Sequence, residues 1–155
     1  MVTVLRNAHG ADENEGTGLA SLRLHNLAIT VADLDASIRW YQRVLGFVCE
    51  ARADIAEGEV AVLGGAGVRI ELLMASRMAE RPVRLEQLFA EPPGHLLVIG
   101  NKFVVFEVND LARASAELEG LSVTILWREK ELAPGFVATA IRDLDGNLIN
   151  IFQAH

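Results

Sequence analysis

The chain has a single cysteine, Cys49, so it can build neither a disulfide framework nor a thiolate zinc site. The residue sits in a strand-like stretch and reads as a buried, inert thiol. Basic charge is also in deficit, with 14 Lys and Arg against 21 Asp and Glu and a formal charge of −7. No run of Lys or Arg offsets that balance, so a nucleic-acid backbone is not an expected partner. No apolar run approaches the ~18 residues of a membrane span, and no signal-peptide core opens the chain. Those two absences predict a cytoplasmic protein with no membrane partner. Aromatic residues are scarce at 6%, yet 51% of the 155 residues are apolar, which excludes a disordered chain and fits a globular α/β or α+β protein. A chain of this length is one domain's worth and can bury about 70% of its unfolded surface.

The pattern that is present repeats itself. Leu27, Ile29 and Val31 alternate with Asn26, Ala28 and Thr30, the period of a strand packed on one face. The period then changes at Ala32-Asp33-Leu34-Asp35, which offers helix-capping carboxylates. Leu34, Ile38, Tyr41, Val44 and Leu45 follow at helical spacing until Gly46 closes the helix. Val31, Asp33 and Leu34 recur at one constant offset as Val108, Asp110 and Leu111. Phe103 to Gly120 is therefore a second copy of Asn26 to Gly46. After each copy come further strands. In the first half these are Phe47 to Arg52, Glu59 to Leu63 and Val68 to Leu73, with Asp54 to Gly58 and Gly64-Gly65-Ala66-Gly67 as turns. In the second they are Ser122 to Trp127, Phe136 to Arg142 and Asn147 to Phe152. Asp145-Gly146 between apolar strands is a hairpin signal. Gly64 to Gly67 is not a phosphate loop, because an alternating strand follows it instead of a helix with a Lys.

The sequence thus predicts an α+β protein of two βαβββ modules. Residues 1–20, polar and glycine-rich and holding His9, read as a flexible tail, and 21–155 as a single domain. Module one covers about 22–74, a connection 75–100 and module two about 101–153. The connection holds three prolines and a short helix around Leu85 to Phe89, and its length suits a lid or contact arm.

The segments NLAITVADLDASIRWYQRVLGF, VRIELL, FVVFEVNDL and DLDGNLINIF, in this order and with the internal duplication, resemble the vicinal oxygen chelate superfamily. That superfamily includes glyoxalase I, methylmalonyl-CoA epimerase, extradiol dioxygenases and the bleomycin resistance proteins. The resemblance covers Leu22 to Phe152. It implies sheets curled around a shared cavity, often completed in a homodimer, and a divalent metal held by four residues. By motif those positions fall on Asn26, Glu71, Phe103 and Asn150. Only Glu71 is a ligand of the family's type.

Alternation alone puts Asn26, Ala28 and Thr30 on the face opposite the helix, together with Arg69, Glu71 and Leu73. The same count places Phe103, Val105 and Glu107, then Leu148, Asn150 and Phe152, on the cavity side of module two. An apolar face with a few polar groups has the composition of a small-molecule site. Zinc, nickel and ferrous iron favour imidazole or thiolate, which these positions lack. His25 alternates onto the helix side and His95 lies in the connection. Oxygens of Asn26, Glu71, Glu107 and Asn150 leave room for a weak divalent site for magnesium or calcium at most, so no cofactor is expected. Glu71 is the candidate catalytic residue, a general base, with Arg69 as its ion-pair partner or the receptor of an anionic group. The function these readings predict is small-molecule binding without the family's metal, as a sequestering protein or a cofactorless enzyme. The alternative is a metal-dependent lyase or isomerase with an atypical ligand set.

Overall fold

The computed structural model describes residues 24–77, 83, 99–101 and 103–153. The expected tail, the helix expected around Leu85 to Phe89, and His95 lie outside the described residues. Module one runs β1 (Leu27–Thr30), α1 (Leu34–Leu45), β2 (Val48–Ile55), β3 (Gly58–Gly65) and β4 (Val68–Met74). Module two runs β5 (Phe103–Val108), α2 (Leu111–Gly120), β6 (Thr124–Ala133), β7 (Phe136–Arg142) and β8 (Leu148–Gln153). Each module folds one four-stranded sheet, in the orders β1-β4-β3-β2 and β5-β8-β7-β6. The first strand of each pairs in parallel with the last, and the other pairings are antiparallel.

Local chemistry sets both helices. Asp33, in extended backbone, accepts the amide of Ala36 at 2.8 Å, and Asp110 accepts that of Arg113 at 2.9 Å. Each carboxylate satisfies an otherwise orphan donor of the first turn. Gly46 ends α1 in the left-handed region at φ 70°, where the absence of a Cβ avoids the clash other residues meet. The buried sides of α1 and of the strands beneath it, among them Leu34, Ile38, Leu63, Ile70 and Leu72, merge with Leu111, Leu118, Ile141, Ile149 and Ile151 of module two in one apolar cluster. Phe47 and Phe106 join the halves edge to face at 6.0 Å. Full burial of each such side chain stabilises by roughly 1.5–3 kcal/mol.

A polar strut also crosses between the modules. The hydroxyl of Tyr41, 1% exposed, donates to Asp143 Oδ2 at 2.9 Å. Asp143 accepts as well from the amides of Asp145 and Asn147 and from Asn147 Nδ2, while Asp145 Oδ1 accepts the amide of Ala32. The Asp143–Gly146 turn thus closes its own hairpin and fastens it to the start of α1. Burial, and after it the charge of Asp143, push the Tyr41 phenol well above its ordinary value. A phenol whose folded-state pKa is raised contributes stability that is complete below the unfolded value of about 10 and is lost as pH rises beyond it. Tyr41→Phe is therefore expected to lower stability by about 1 kcal/mol at pH 8 and to flatten the alkaline decline. Urea midpoints of both chains at pH 8 and about pH 11 check this.

Several boundaries differ from the sequence reading, each for a physical reason. Gly64 and Gly65 belong to β3, and the turn is Ala66-Gly67. Neighbouring side chains lie over both glycines: a Cβ at Gly64 would come within 2.1 Å of Glu50 Oε1, and one at Gly65 within 2.8 Å of the Phe47 ring. These glycines serve close approach within a strand. β6 runs to Ala133, past the expected end at Trp127, because three register shifts break its alternation. At one of them Glu129 adopts φ 46° and its amide donates to Thr139 Oγ1 at 3.0 Å. β1 begins at Leu27, residues 24–26 before it are not strand, and Cys49 is half-buried at the margin of the core.

Candidate functional site

Each sheet has one face under its helix and one face turned away, and the expected site residues fall on the latter. In module one, Ile70 and Leu72 are fully buried in the core, so Glu71 between them projects to the other face. Its register partners are Ala28 on β1 and Val62 on β3. Glu71 is half-buried and its Oε2 accepts Asn26 Nδ2 at 2.6 Å. The amide oxygen of Asn26 in turn meets His25 Nδ1 at 2.7 Å. A chain of side chains, His25 to Asn26 to Glu71, therefore runs into this face, whereas alternation assigns His25 to the helix side. The backbone at Leu24 to Asn26 is not yet strand, so the period of two does not hold there.

Arg69 does not pair with Glu71. Its Nε donates to Glu50 Oε2 at 2.7 Å, across the space that Gly64 leaves open. Both partners are about half exposed, so the pair is worth at most about 1 kcal/mol. Ala28 and Thr30 lie exposed on the same face.

In module two the register places Val105, Asn150, Ala140 and Trp127 in one row across β5, β8, β7 and β6. Phe103 and Val105 are 42% and 44% exposed, whereas Leu148 and Asn150 are 5% and 4% exposed. The β5 side chains thus form a rim, with Glu107 exposed beside them, and the β8 side chains a floor. Phe152 packs against Phe136 with ring centroids 5.1 Å apart. Trp127, Phe136, Ala138 and Ala140 complete this face and were not among the expected site residues. The missed signal at Phe136 is plain alternation along β7. At Trp127 the bulge after Ile125 reverses the phase, and a strict period of two points the indole the wrong way.

The four positions at which the resemblance places metal ligands do not fit a divalent ion of that kind. Phe103 has no lone pair, and Asn26 offers only a neutral amide oxygen, which already meets His25 Nδ1 at 2.7 Å, where zinc, nickel and ferrous iron favour imidazole or thiolate. Among the described residues no three His, Cys, Asp or Glu side chains gather where an ion could be held. The hydrogen bonds and ion pairs of Asn26, Arg69 and Glu71 also stay within module one among the described residues.

Two βαβββ modules with an apolar, sparsely polar face turned from each helix define a protein class. The model of the Glyoxalase/Bleomycin resistance protein/Dioxygenase superfamily matches residues 23–151, and the chain belongs to that superfamily. Solved structures share the fold. A glyoxalase family protein from Bacillus cereus is 22% identical, with a TM-score of 0.65 over 85% of this chain and 93% of that one. A glyoxylase/bleomycin resistance protein/dioxygenase domain from Frankia sp. EAN1pec is 21% identical, with a TM-score of 0.68 over 86% and 93%. TnmS3, an antibiotic binding protein from Streptomyces sp. CB03234, is 18% identical, with a TM-score of 0.62 over 89% and 100%. Comparison with curated proteins gives no match. Among the described residues no helix is long and apolar enough to cross a membrane.

Proposed function

We propose that the chain is a metal-independent member of its superfamily, a cytoplasmic homodimer that binds a small organic ligand on the sheet faces turned away from the helices. It acts as a sequestering protein or as a cofactorless enzyme with Glu71 as general base. The observation that carries this reading is the donor set: a phenylalanine with no lone pair and two neutral carboxamides, one with its oxygen already against His25, stand beside Glu71 at the positions the resemblance gives to metal ligands. TnmS3 is an antibiotic binding protein, which supports ligand capture as a use of this fold. Asn26, Ala28, Thr30 and Arg69 would line the ligand from module one, and Phe103, Val105, Glu107, Leu148, Asn150 and Phe152 from module two. The exposed apolar rim at Phe103 and Val105 favours isologous association, in which a second copy covers it and brings its own module to the site.

One purified sample tests both parts. Light scattering coupled to gel filtration is expected to give about twice the 16.9 kDa chain mass. Elemental analysis of the dialysed, tag-free protein is expected to find no stoichiometric nickel, zinc, iron or manganese. One equivalent of such a metal, lost on Glu71→Gln, would overturn the metal-free reading, and a monomer at high micromolar concentration would overturn the dimer.

A further inference from the structure

Among the described residues two buried side-chain polar atoms have no hydrogen-bond partner, Asn150 Oδ1 and Trp127 Nε1. They stand on the same face of the same sheet and in the same row, with Ala140 between them on β7. Asn150 is 4% exposed, and a buried polar atom left unpaired is unfavourable and rare enough to require an explanation. One atom is solely an acceptor and the other solely a donor. Lys130 Nζ lies 5.6 Å from the Trp127 ring centroid, a contact that uses the ring face and leaves the N–H free. The Phe136 and Phe152 rings stand beside the row on the same face, since Phe152 pairs with Ala138.

We infer that Asn150 and Trp127 form a subsite for a neutral aryl carboxamide, whose N–H donates to Asn150 Oδ1 and whose carbonyl accepts from Trp127 Nε1. The inference rests on the ligand-binding reading above and specifies the chemistry of that ligand. A carboxylate offers two acceptors and leaves Asn150 Oδ1 facing a lone pair, while an ammonium offers donors alone and leaves the indole unpaired. Two strand spacings separate β6 from β8, roughly 9.5 Å between backbones. An amide with a hydrogen bond of about 2.9 Å at each end reaches farther across that gap than one hydroxyl oxygen. The aromatic ring it carries meets Phe136 and Phe152, where aryl faces pack favourably.

The test uses the full ¹⁵N-labelled chain and two probes of equal shape, benzamide and acetophenone, which differ by an NH₂ in place of a CH₃. The Trp127 indole resonance, assigned by its loss in Trp127→Phe, is followed during each titration. Benzamide is expected to shift it saturably at about tenfold lower concentration than acetophenone, the factor for one hydrogen bond made or missed. Asn150→Leu, close in volume, is expected to bring the two probes within about twofold. Equal affinities on the unsubstituted chain would overturn the carboxamide subsite yet leave ligand binding on this face intact. A Trp127 resonance that neither probe moves, in a protein that other small molecules stabilise thermally, would also remove the subsite and not the cavity reading. The probe ratio on the unsubstituted chain needs no variant, so the inference is decided even if Asn150→Leu does not fold.

Discussion

Asp143→Ala is expected to lower unfolding free energy by about 3–5 kcal/mol, the largest stability effect of any single substitution discussed. The carboxylate accepts from Tyr41, from two turn amides and from Asn147 Nδ2. Removing it leaves the buried Tyr41 hydroxyl with no acceptor, at about 1–3 kcal/mol, and frees the turn donors, which water satisfies in part. Against a total of about 5–15 kcal/mol for a domain, such a loss places the fold near its limit. Urea denaturation gives the value. The double substitution with Tyr41→Phe is expected to cost less than the two singles added, because both act on one bond. A loss below about 1 kcal/mol, or strict additivity, would show that the strut does not couple the modules.

Glu71→Gln is expected to separate chemistry from architecture. Gln keeps an oxygen able to accept Asn26 Nδ2 while removing the basicity, so the folded chain should keep its stability within about 0.5 kcal/mol and its affinity for ligand. In the catalytic form of the proposal, turnover should fall by about a hundredfold or more, the usual contribution of a positioned base. Stability cannot fall through a lost Arg69 contact, because Arg69 is held by Glu50. A destabilisation of 2 kcal/mol or more by thermal or urea unfolding would instead make Glu71 an architectural residue. Unchanged turnover in an active protein would remove it as the base.

The sequence was most legible where one period runs uninterrupted. Leu27 to Val31, Val68 to Leu73 and Phe103 to Val108 alternate cleanly, and the strands they predict lie within a few residues of those observed, with Glu71 on the side away from α1. Helix starts were legible because an aspartate caps each one. Legibility failed where a residue's reason lies in a distant neighbour. Gly64 and Gly65 read as a turn because nothing local records that Glu50 and Phe47 cover them. Arg69 reads as a partner for Glu71 because they are two residues apart, whereas Glu50 reaches it across a strand. Trp127 was lost to the bulge that reverses its phase, and with it the second half of the Asn150 row.

Ligand is expected on the sheet faces opposite the helices, and without a metal. A crystal structure with the best compound from a thermal-shift screen tests this most directly, since any compound that binds the native state alone raises the melting temperature. The compound is expected over β7 and β8, touching Asn150 and Trp127 with Glu71 of one or the other copy nearby, and with no ion between protein and ligand. A compound seated under the helices or elsewhere on the surface, or held through a metal at Glu71, would contradict it.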